Sequence, residues 1–313
     1  MSAEPSVCRL CGADRILPLG VIPASDFFAG RVLPQPMDGG CLWQCSACRS
    51  LFRHPVLGPS AYLDLYAHGV AEAWSCDGGR QDLAIIRDIV AHQAAAGSVL
   101  DIGCGAGGFL LSLPAHLKKY GVEPSLAAAG LAEAQGVSIL ARTVPDLPPQ
   151  VRFDVITVID VIEHVVDPAA LLDEIAPHLA PAGCLIVSTG DPESAPWRRL
   201  YRARFWYSSF PEHISFPSAH FFAKWQRRSG LEPARVVRTR YRRRPLWLLF
   251  LALAAQNAYW LSPGLFNVIG RGMQRLRRMP RPHRRYFSGG GQGVFTDHQV
   301  VTIQASAIRS PVS

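Results

Sequence analysis

The first twelve residues, MSAEPSVCRLCG, lack the apolar core of a secretory signal, which leads us to expect a cytoplasmic protein. No internal repeat is visible. Acidic residues are missing from Arg235 to Arg285, a segment that holds thirteen arginines. Against a chain total of +8, that leaves a formal −5 for the remainder, so a mildly acidic body carries one basic region. A generally basic nucleic-acid binder has a different charge distribution. What is present is ordinary for a folded, core-burying protein. The 313 residues, 49% apolar and 18% charged, suffice for a large domain with a small one, or for two domains.

Three regions differ in pattern. Residues 1–60 are rich in Cys, Pro and Gly. From about 80 to 190, helical and strand patterns alternate. GRQDLAIIRDIVAHQ places Leu83, Ile86, Ile89 and Val90 on one helical face. SVLDIG, KYGVE, VSIL, FDVITVID and GCLIVST read as five buried strands, which predicts a parallel, doubly wound α/β sheet. An arginine-interleaved aromatic segment, Trp197–Phe216, reads either as a surface helix with an aromatic core face or as a substrate lid. SAHFFAKWQRRSG is a helix, while EPARVVRTRY and DHQVVTIQAS are a sixth and a seventh strand. We expect the sixth to run parallel to its neighbours and the seventh antiparallel beside it.

VLDIGCGAGGFL holds the most chemistry. Gly103, Gly105 and Gly108 satisfy GxGxxG between a strand and a helix, a pattern shared with dinucleotide sites. Asp101 changes the reading, because a carboxylate at a strand tip suits an ammonium group. The glycines meanwhile let backbone approach a ligand without Cβ clashes. S-adenosylmethionine offers that ammonium and has no pyrophosphate. Glu123, at the end of the next strand, is placed to accept hydrogen bonds from a ribose diol.

On these residues the chain resembles the class I S-adenosylmethionine-dependent methyltransferases. FDVITVIDVIEHVVDPAALLDEIAPHLAPAGCLIVST looks like their fourth and fifth strand blocks, with the Glu163–His164 pair. The resemblance is nearest to ubiquinone-biosynthesis O-methyltransferases and methyltransferases of saccharide clusters. It implies a seven-stranded Rossmann-like sheet. Asp101, Gly103, Gly105 and Gly107 would lie at the methionine end, Glu123 at the ribose, and Asp160 along the methionine side. Where the family often has an acidic residue near the adenine amine, this chain has Arg142 and Thr143 within ARTVPDLP.

CRLCG and CSAC form two CxxC knuckles separated by 33 residues. Each puts two thiolates on one tight turn, so Cys8, Cys11, Cys45 and Cys48 can share a tetrahedral zinc; Cys41 is a possible substitute. The alternative is reduced thiols packed in a small core. The segment resembles the zinc-binding N-terminal domain of some sugar and antibiotic-pathway methyltransferases, and four cysteines would leave the metal a structural role. Cys76, Cys104 and Cys184 read as incidental thiols.

Methyl transfer needs a positioned acceptor and sometimes a base. No Asn/Asp-Pro-Pro-Tyr/Phe follows strand four, which argues against nucleobase amines. His164 and His213 are the candidate bases, each with a structural alternative: a helix-start residue for His164, a loop-fixing hydrogen bond for His213. Phe210 stands where some related C-methyltransferases have tyrosine, which favours an oxygen acceptor.

Leu246–Leu261 is uncharged but only 16 residues long, short of the roughly 20 needed to span a bilayer. Lying between the sixth and seventh strands with arginines on both flanks, it reads as an in-plane or re-entrant apolar hairpin on an anionic membrane surface, or as a dimer or core helix pair. The expected organisation is a zinc-binding domain at 1–60, a methyltransferase domain at 61–244 and 293–313, and an apolar, basic insertion at 245–292. The expected protein is peripheral on the inner face of the membrane and methylates an oxygen (carbon second) of an amphipathic small molecule, lipid-linked compound or saccharide. An RNA methyltransferase using the zinc module, or a non-catalytic zinc-ribbon interaction protein, are the alternatives.

Overall fold

The computed structural model describes residues 4–28, 31–67, 79–93, 97–243, 245–266, 268–269 and 293–306. Cys76 and the arginines from Arg271 to Arg285 lie outside them. The N-terminal part holds β1 (Ile16–Val21), a hairpin of β2 (Ser25–Phe28) and β3 (Arg31–Met37), β4 (Cys41–Cys45) and β5 (Leu51–His54). Helices α1 (Pro59–Ala67) and α2 (Gln81–Gln93) follow. Leu83, Ile86 and Val90 of α2 are buried as their spacing predicts, with Ile89 half-buried beside them.

The larger layer contains β6 (Ser98–Ile102), α3 (Gly108–Leu111), β7 (Lys118–Val122), α4 (Leu126–Glu133), β8 (Ser138–Ala141) and β9 (Phe153–Ile159). It continues through α5 (Pro168–Ile175), β10 (Leu179–Gly190), β11 (Ser215–Phe216), α6 (Ala219–Arg228), β12 (Arg235–Thr239), α7 (Leu246–Leu261) and β13 (His298–Gln304). Seven strands form one sheet in the order β12-β13-β10-β9-β6-β7-β8. The continuous apolar runs of β6, β9 and β10 are explained by burial on both faces: Leu100, Ile156 and Leu185 belong to one core cluster, Val99, Val155 and Ile186 to another. Parallel pairing of β6 with β7 and β9 brings the three strands' carboxyl ends to one edge, where Asp101 sits opposite Gly121 and Thr157. That edge positions the site.

The sixth strand, β12, shares the direction of the five parallel strands, and the seventh, β13, runs antiparallel between it and β10, as expected; among the described residues β12 pairs in the sheet with β13 alone, so no parallel neighbour touches it. The aromatic segment folds as short helical turns with an aromatic face packed into the core, the first of its two readings. Trp197, Tyr201, Phe205, Trp206 and Tyr207 are all buried in one cluster, while Arg199, Arg202 and Arg204 point to solvent. Buried indole N–H groups find partners there: Trp197 donates to Ser208 Oγ at 2.7 Å, and Trp206 to Asp297 Oδ2 at 2.8 Å.

The small sheet, ordered β1-β4-β5-β11, takes its last strand from residues 215–216. The buried Arg53 and the half-buried Arg9 fasten it to the larger layer. Arg53 donates to the carbonyls of Ser208 at 2.9 Å and Phe210 at 2.8 Å, and Arg9 donates to that of Ile214 at 2.5 Å. Charge-assisted bonds of this kind hold a guanidinium without a carboxylate, although the Nε of Arg9 and of Arg53 has no partner among the described residues.

Helix α7 lies against this aromatic cluster. Gln256, Tyr259 and Ala252 are its buried residues. The two amides that interrupt the apolar run anchor it: Gln256 Oε1 accepts from Trp206 N and Nε2 donates to Arg204 O, both at 3.0 Å, and Asn257 Oδ1 accepts from Tyr201 at 2.9 Å. Among the described residues, no helix is long and apolar enough to cross a membrane.

Candidate functional site

At the carboxyl edge of β6 the chain turns through three left-handed glycines, Gly103 (φ +70°), Gly105 (φ +55°) and Gly107 (φ +80°). L side chains rarely adopt such angles. A Cβ on Gly103 would also lie 2.5 Å from Val161 Cγ2, so the loop requires glycine there on two counts. Asp101 is buried beneath the loop, and its Oδ1 accepts from Thr157 Oγ1 at 2.7 Å. Burial pushes its carboxyl up to about 7, with the neighbouring Glu123 adding to the shift. The glycine loop and Glu123 are tied together, because the Glu123 carboxylate accepts from Gly105 N and Ser125 N at 2.8 Å each. Burial raises Glu123 too.

Asp101, Gly103, Gly105, Gly107 and Glu123 are therefore gathered at one strand edge. Asp160 joins them from the end of β9 with a strained φ of +51°. Its Oδ2 pairs with Arg80, while its buried Oδ1 has no partner among the described residues. Such an orphan acceptor beside a glycine cradle and two buried carboxylates is suited to a ligand rich in N–H and O–H donors, at least one of them cationic. The adenine-side expectation finds local occupations instead. Arg142 donates to Pro124 O at 2.7 Å, and Thr143 Oγ1 donates to Asp146 Oδ2 at 2.6 Å in a capping turn.

His164 and His213 are brought together, ring centroids 4.9 Å apart and edge to face. His213 Nδ1 lies 2.8 Å from Tyr207 O, an acceptor only, so Nδ1 carries the hydrogen and Nε2 the lone pair. His164 Nδ1 sits between the Tyr66 hydroxyl at 2.8 Å and Glu212 O at 3.1 Å. Burial lowers both imidazoles below the usual value, His213 strongly, with His164 reinforcing the effect on His213. Both rings are neutral near pH 7. Glu163 is fully buried next to them, accepting from Thr189 Oγ1 at 2.9 Å and from the Tyr207 hydroxyl. Burial, then the charge of Asp160, lifts its carboxyl to about 7. The ligand atoms of Glu163, His164 and His213 lie within 4.8 Å of one another, close enough for a cation, although hydrogen bonds already engage Glu163 on both oxygens.

Sequence reasoning missed several neighbours. Arg80 bridges Asp160 and Asp82 and lies 4.5 Å over the Tyr241 ring. Its only sequence signal is an arginine opening the helix before the glycine strand. His298, fully buried at the start of β13, is held by Asp297 at 3.1 Å and has an unpartnered Nε2 among the described residues. Tyr66, Tyr207 and Thr189 carried no motif.

The four knuckle cysteines converge as expected. Cys8 and Cys48 sulfurs are 3.8 Å apart, Cys11 and Cys45 sulfurs 3.7 Å, and all four lie within 4.8 Å of one another. A tetrahedron with metal–sulfur bonds of about 2.3 Å has edges of about 3.8 Å. The residue after each knuckle is left-handed, Gly12 at φ +73° and Arg49 at φ +59°, so both turns fold alike. Burial pushes Cys11 up to about 11, a cost that a bound cation would remove. Cys41 stands outside the cluster, and Cys104 and Cys184 are buried thiols.

Comparison with known proteins agrees with this geometry. A family described as "Methyltransferase domain" matches residues 66–236. The ubiquinone biosynthesis O-methyltransferase of Bradyrhizobium sp. (strain ORS 278) is 39% identical over 100 residues, covering 29% of this chain and 39% of that protein. Its Nitrobacter winogradskyi counterpart is 44% identical over 100 residues, covering 29% and 38%. The chain thus spans well under half the length of these curated relatives. A solved structure of Haemonchus contortus phosphoethanolamine N-methyltransferase 2 with S-adenosyl-L-methionine shares the fold at 16% identity, TM-score 0.50, over 82% of this chain and 62% of that one. With the family model matched across more than half of the chain and the seven-stranded sheet built around the glycine loop, this chain belongs to the methyltransferase-domain family.

Proposed function

We propose that the enzyme methylates an oxygen of an amphipathic acceptor, a lipid-linked saccharide or a quinone-like ring, at a membrane surface. The observation that carries the oxygen assignment is the neutral His213, whose Nδ1 is locked on Tyr207 O so that Nε2 is left as a base. Phe210 packs against His213 with centroids 4.9 Å apart, putting an apolar ring where a carbanion-directing hydroxyl would be useful. The O-methyltransferase names of the curated relatives point the same way.

S-adenosylmethionine, when bound, supplies an electrophilic methyl group on a sulfonium. Asp101 would pair with its ammonium, Gly103, Gly105 and Gly107 would admit it to the backbone, and Glu123 would accept its ribose hydroxyls. Asp160 would line the methionine side with its free Oδ1. His213 Nε2 takes the acceptor's hydroxyl proton as that oxygen becomes nucleophilic. His164 and Glu163 hold the ring and shape the pocket wall, Glu163 through its bonds to Tyr207 and Thr189. Cys8, Cys11, Cys45 and Cys48 would hold one zinc ion as a staple, since four thiolates leave no open coordination position.

The test is a panel of alkylated catechols, isoprenylated phenols and sugar lipids offered with methyl-labelled cofactor. Ether formation on members of that panel supports the proposal. Labelling of RNA with none of the panel methylated overturns it in favour of the nucleic-acid reading.

A further inference from the structure

The exposed side of α7 inverts the usual amphipathic rule. Its polar side chains face inward, with Gln256 0% exposed, while Leu246 is 75% exposed, Trp247 63%, Phe250 71%, Leu251 60% and Leu261 71%. The exposed positions 246, 247, 250, 251, 254, 258 and 261 recur at helical spacing, and every one of them is apolar. The stripe continues past the helix in Leu265, Val268 and Ile269, also exposed. Contiguous apolar surface of this kind marks a binding face.

Beside the end of α7 runs a groove of about 490 Å³, between Gly20–Val21, Leu200–Arg204 and Trp260–Leu261. Its rim carries Arg202 and Arg204, and the Arg204 guanidinium donates to Trp260 O at 2.6 Å. At the other end of the helix, Arg240 and Arg243 are exposed. From Arg235 to Arg285 the sequence offers no carboxylate to neutralise them.

We infer that this face docks on an anionic lipid bilayer, with α7 lying in the plane of the interface and the arginines on phosphate headgroups. The choice of occupant rests on charge. A second copy of the chain docking by the same face would set one cationic rim against another, which is repulsive, whereas an anionic bilayer complements both the stripe and its rim. A helix of 16 residues is about 24 Å long, short of the roughly 30 Å hydrocarbon core, so it lies on the membrane and does not cross it. Trp247 and Trp260 near its two ends suit the headgroup level. The inference deepens the membrane-surface part of the proposed function, and it is independent of the acceptor's chemistry.

The experiment is co-sedimentation of the full chain with vesicles of phosphatidylcholine alone, or of phosphatidylcholine and phosphatidylglycerol in equal parts. The wild type is expected to partition at least about tenfold more to the anionic vesicles, and salt is expected to weaken that binding without abolishing it. Replacing Trp247, Phe250 and Leu251 with Ser should abolish binding at any salt. Arg202→Gln with Arg240→Gln and Arg243→Gln should erase the preference for the anionic lipid. All these positions are exposed, and S-adenosylhomocysteine affinity should stay unchanged in every variant. Wild-type protein left in the supernatant with anionic vesicles at low salt overturns the inference. So does a dimer in sedimentation analysis that the serine variant converts to monomer. Failure here with methylation of a short-chain soluble acceptor intact would leave the catalytic reading standing, and the reverse pattern would sink that reading alone.

Discussion

Asp101 offers a measurable link between burial and cofactor binding. Its carboxyl titrates at about 7 because the strand tip is buried and Glu123 stands nearby, yet the ammonium of S-adenosylhomocysteine favours the ionised form. A group with its midpoint near 7 is about one-tenth ionised near pH 6 and about nine-tenths near pH 8. Affinity should therefore rise about tenfold, or about 1.4 kcal/mol, between those conditions, with protons released on binding at the acid end. Glu123, also raised, adds to the effect in the same direction. In the ligand-free protein the sign is opposite. A raised carboxyl stabilises the fold below the ordinary carboxylate range, and that contribution is lost as pH rises through about 7. Asp101→Asn keeps an acceptor for Thr157 and removes the charge, so binding should weaken by about 3 kcal/mol, a hundredfold or more, with the Asp101 part of the pH slope gone. Isothermal calorimetry in buffers of different ionisation enthalpy reads both quantities. A flat wild-type profile, or a slope undiminished in Asp101→Asn, refutes the reasoning.

Gln256→Ala leaves Trp206 N–H and Arg204 C=O without their partner under α7, and should cost about 2–4 kcal/mol in urea unfolding; an unchanged midpoint would mean the helix is not anchored there. Elemental analysis should find one zinc per chain, released by Cys45→Ser, while a metal-free, fully stable wild type contradicts the staple. His213→Gln should lower kcat by about a hundredfold or more and leave S-adenosylhomocysteine affinity unchanged. With His213 held well below the usual imidazole value, wild-type kcat should show no inflection attributable to it near pH 6.5.

The sheet was legible in the sequence because strands buried on both faces are continuous apolar runs, and the glycine loop because Gly103 and Gly107 answer to backbone angles that few residues adopt. The knuckles were legible because metal spacing is local. Contacts made by distant segments were not. Arg80 meets Asp160 across 80 residues and Trp206 meets Asp297 across 91, and nothing in a linear pattern marks either. The arginines interleaved in the aromatic segment left a core-facing helix and a substrate lid both open, and the segment folds so that its rings turn inward and Arg199, Arg202 and Arg204 outward. Gln256 and Asn257 looked like breaks in an apolar stretch. They are its attachment to the body, so deleting the whole stretch would uncover Trp206 and Tyr201 as well as removing the exposed stripe.

The central claim is the proposed methyl transfer to an oxygen of an amphipathic acceptor, with Asp101 at the cofactor and His213 as base. It is tested most directly by incubating the enzyme with trideuteromethyl S-adenosylmethionine and a membrane extract, then following the organic phase by mass spectrometry. The account predicts a product carrying the heavy methyl group as a base-stable ether, absent with Asp101→Ala. No heavy product from a folded enzyme that binds S-adenosylhomocysteine, or heavy methyl found on nitrogen or in RNA, would contradict it.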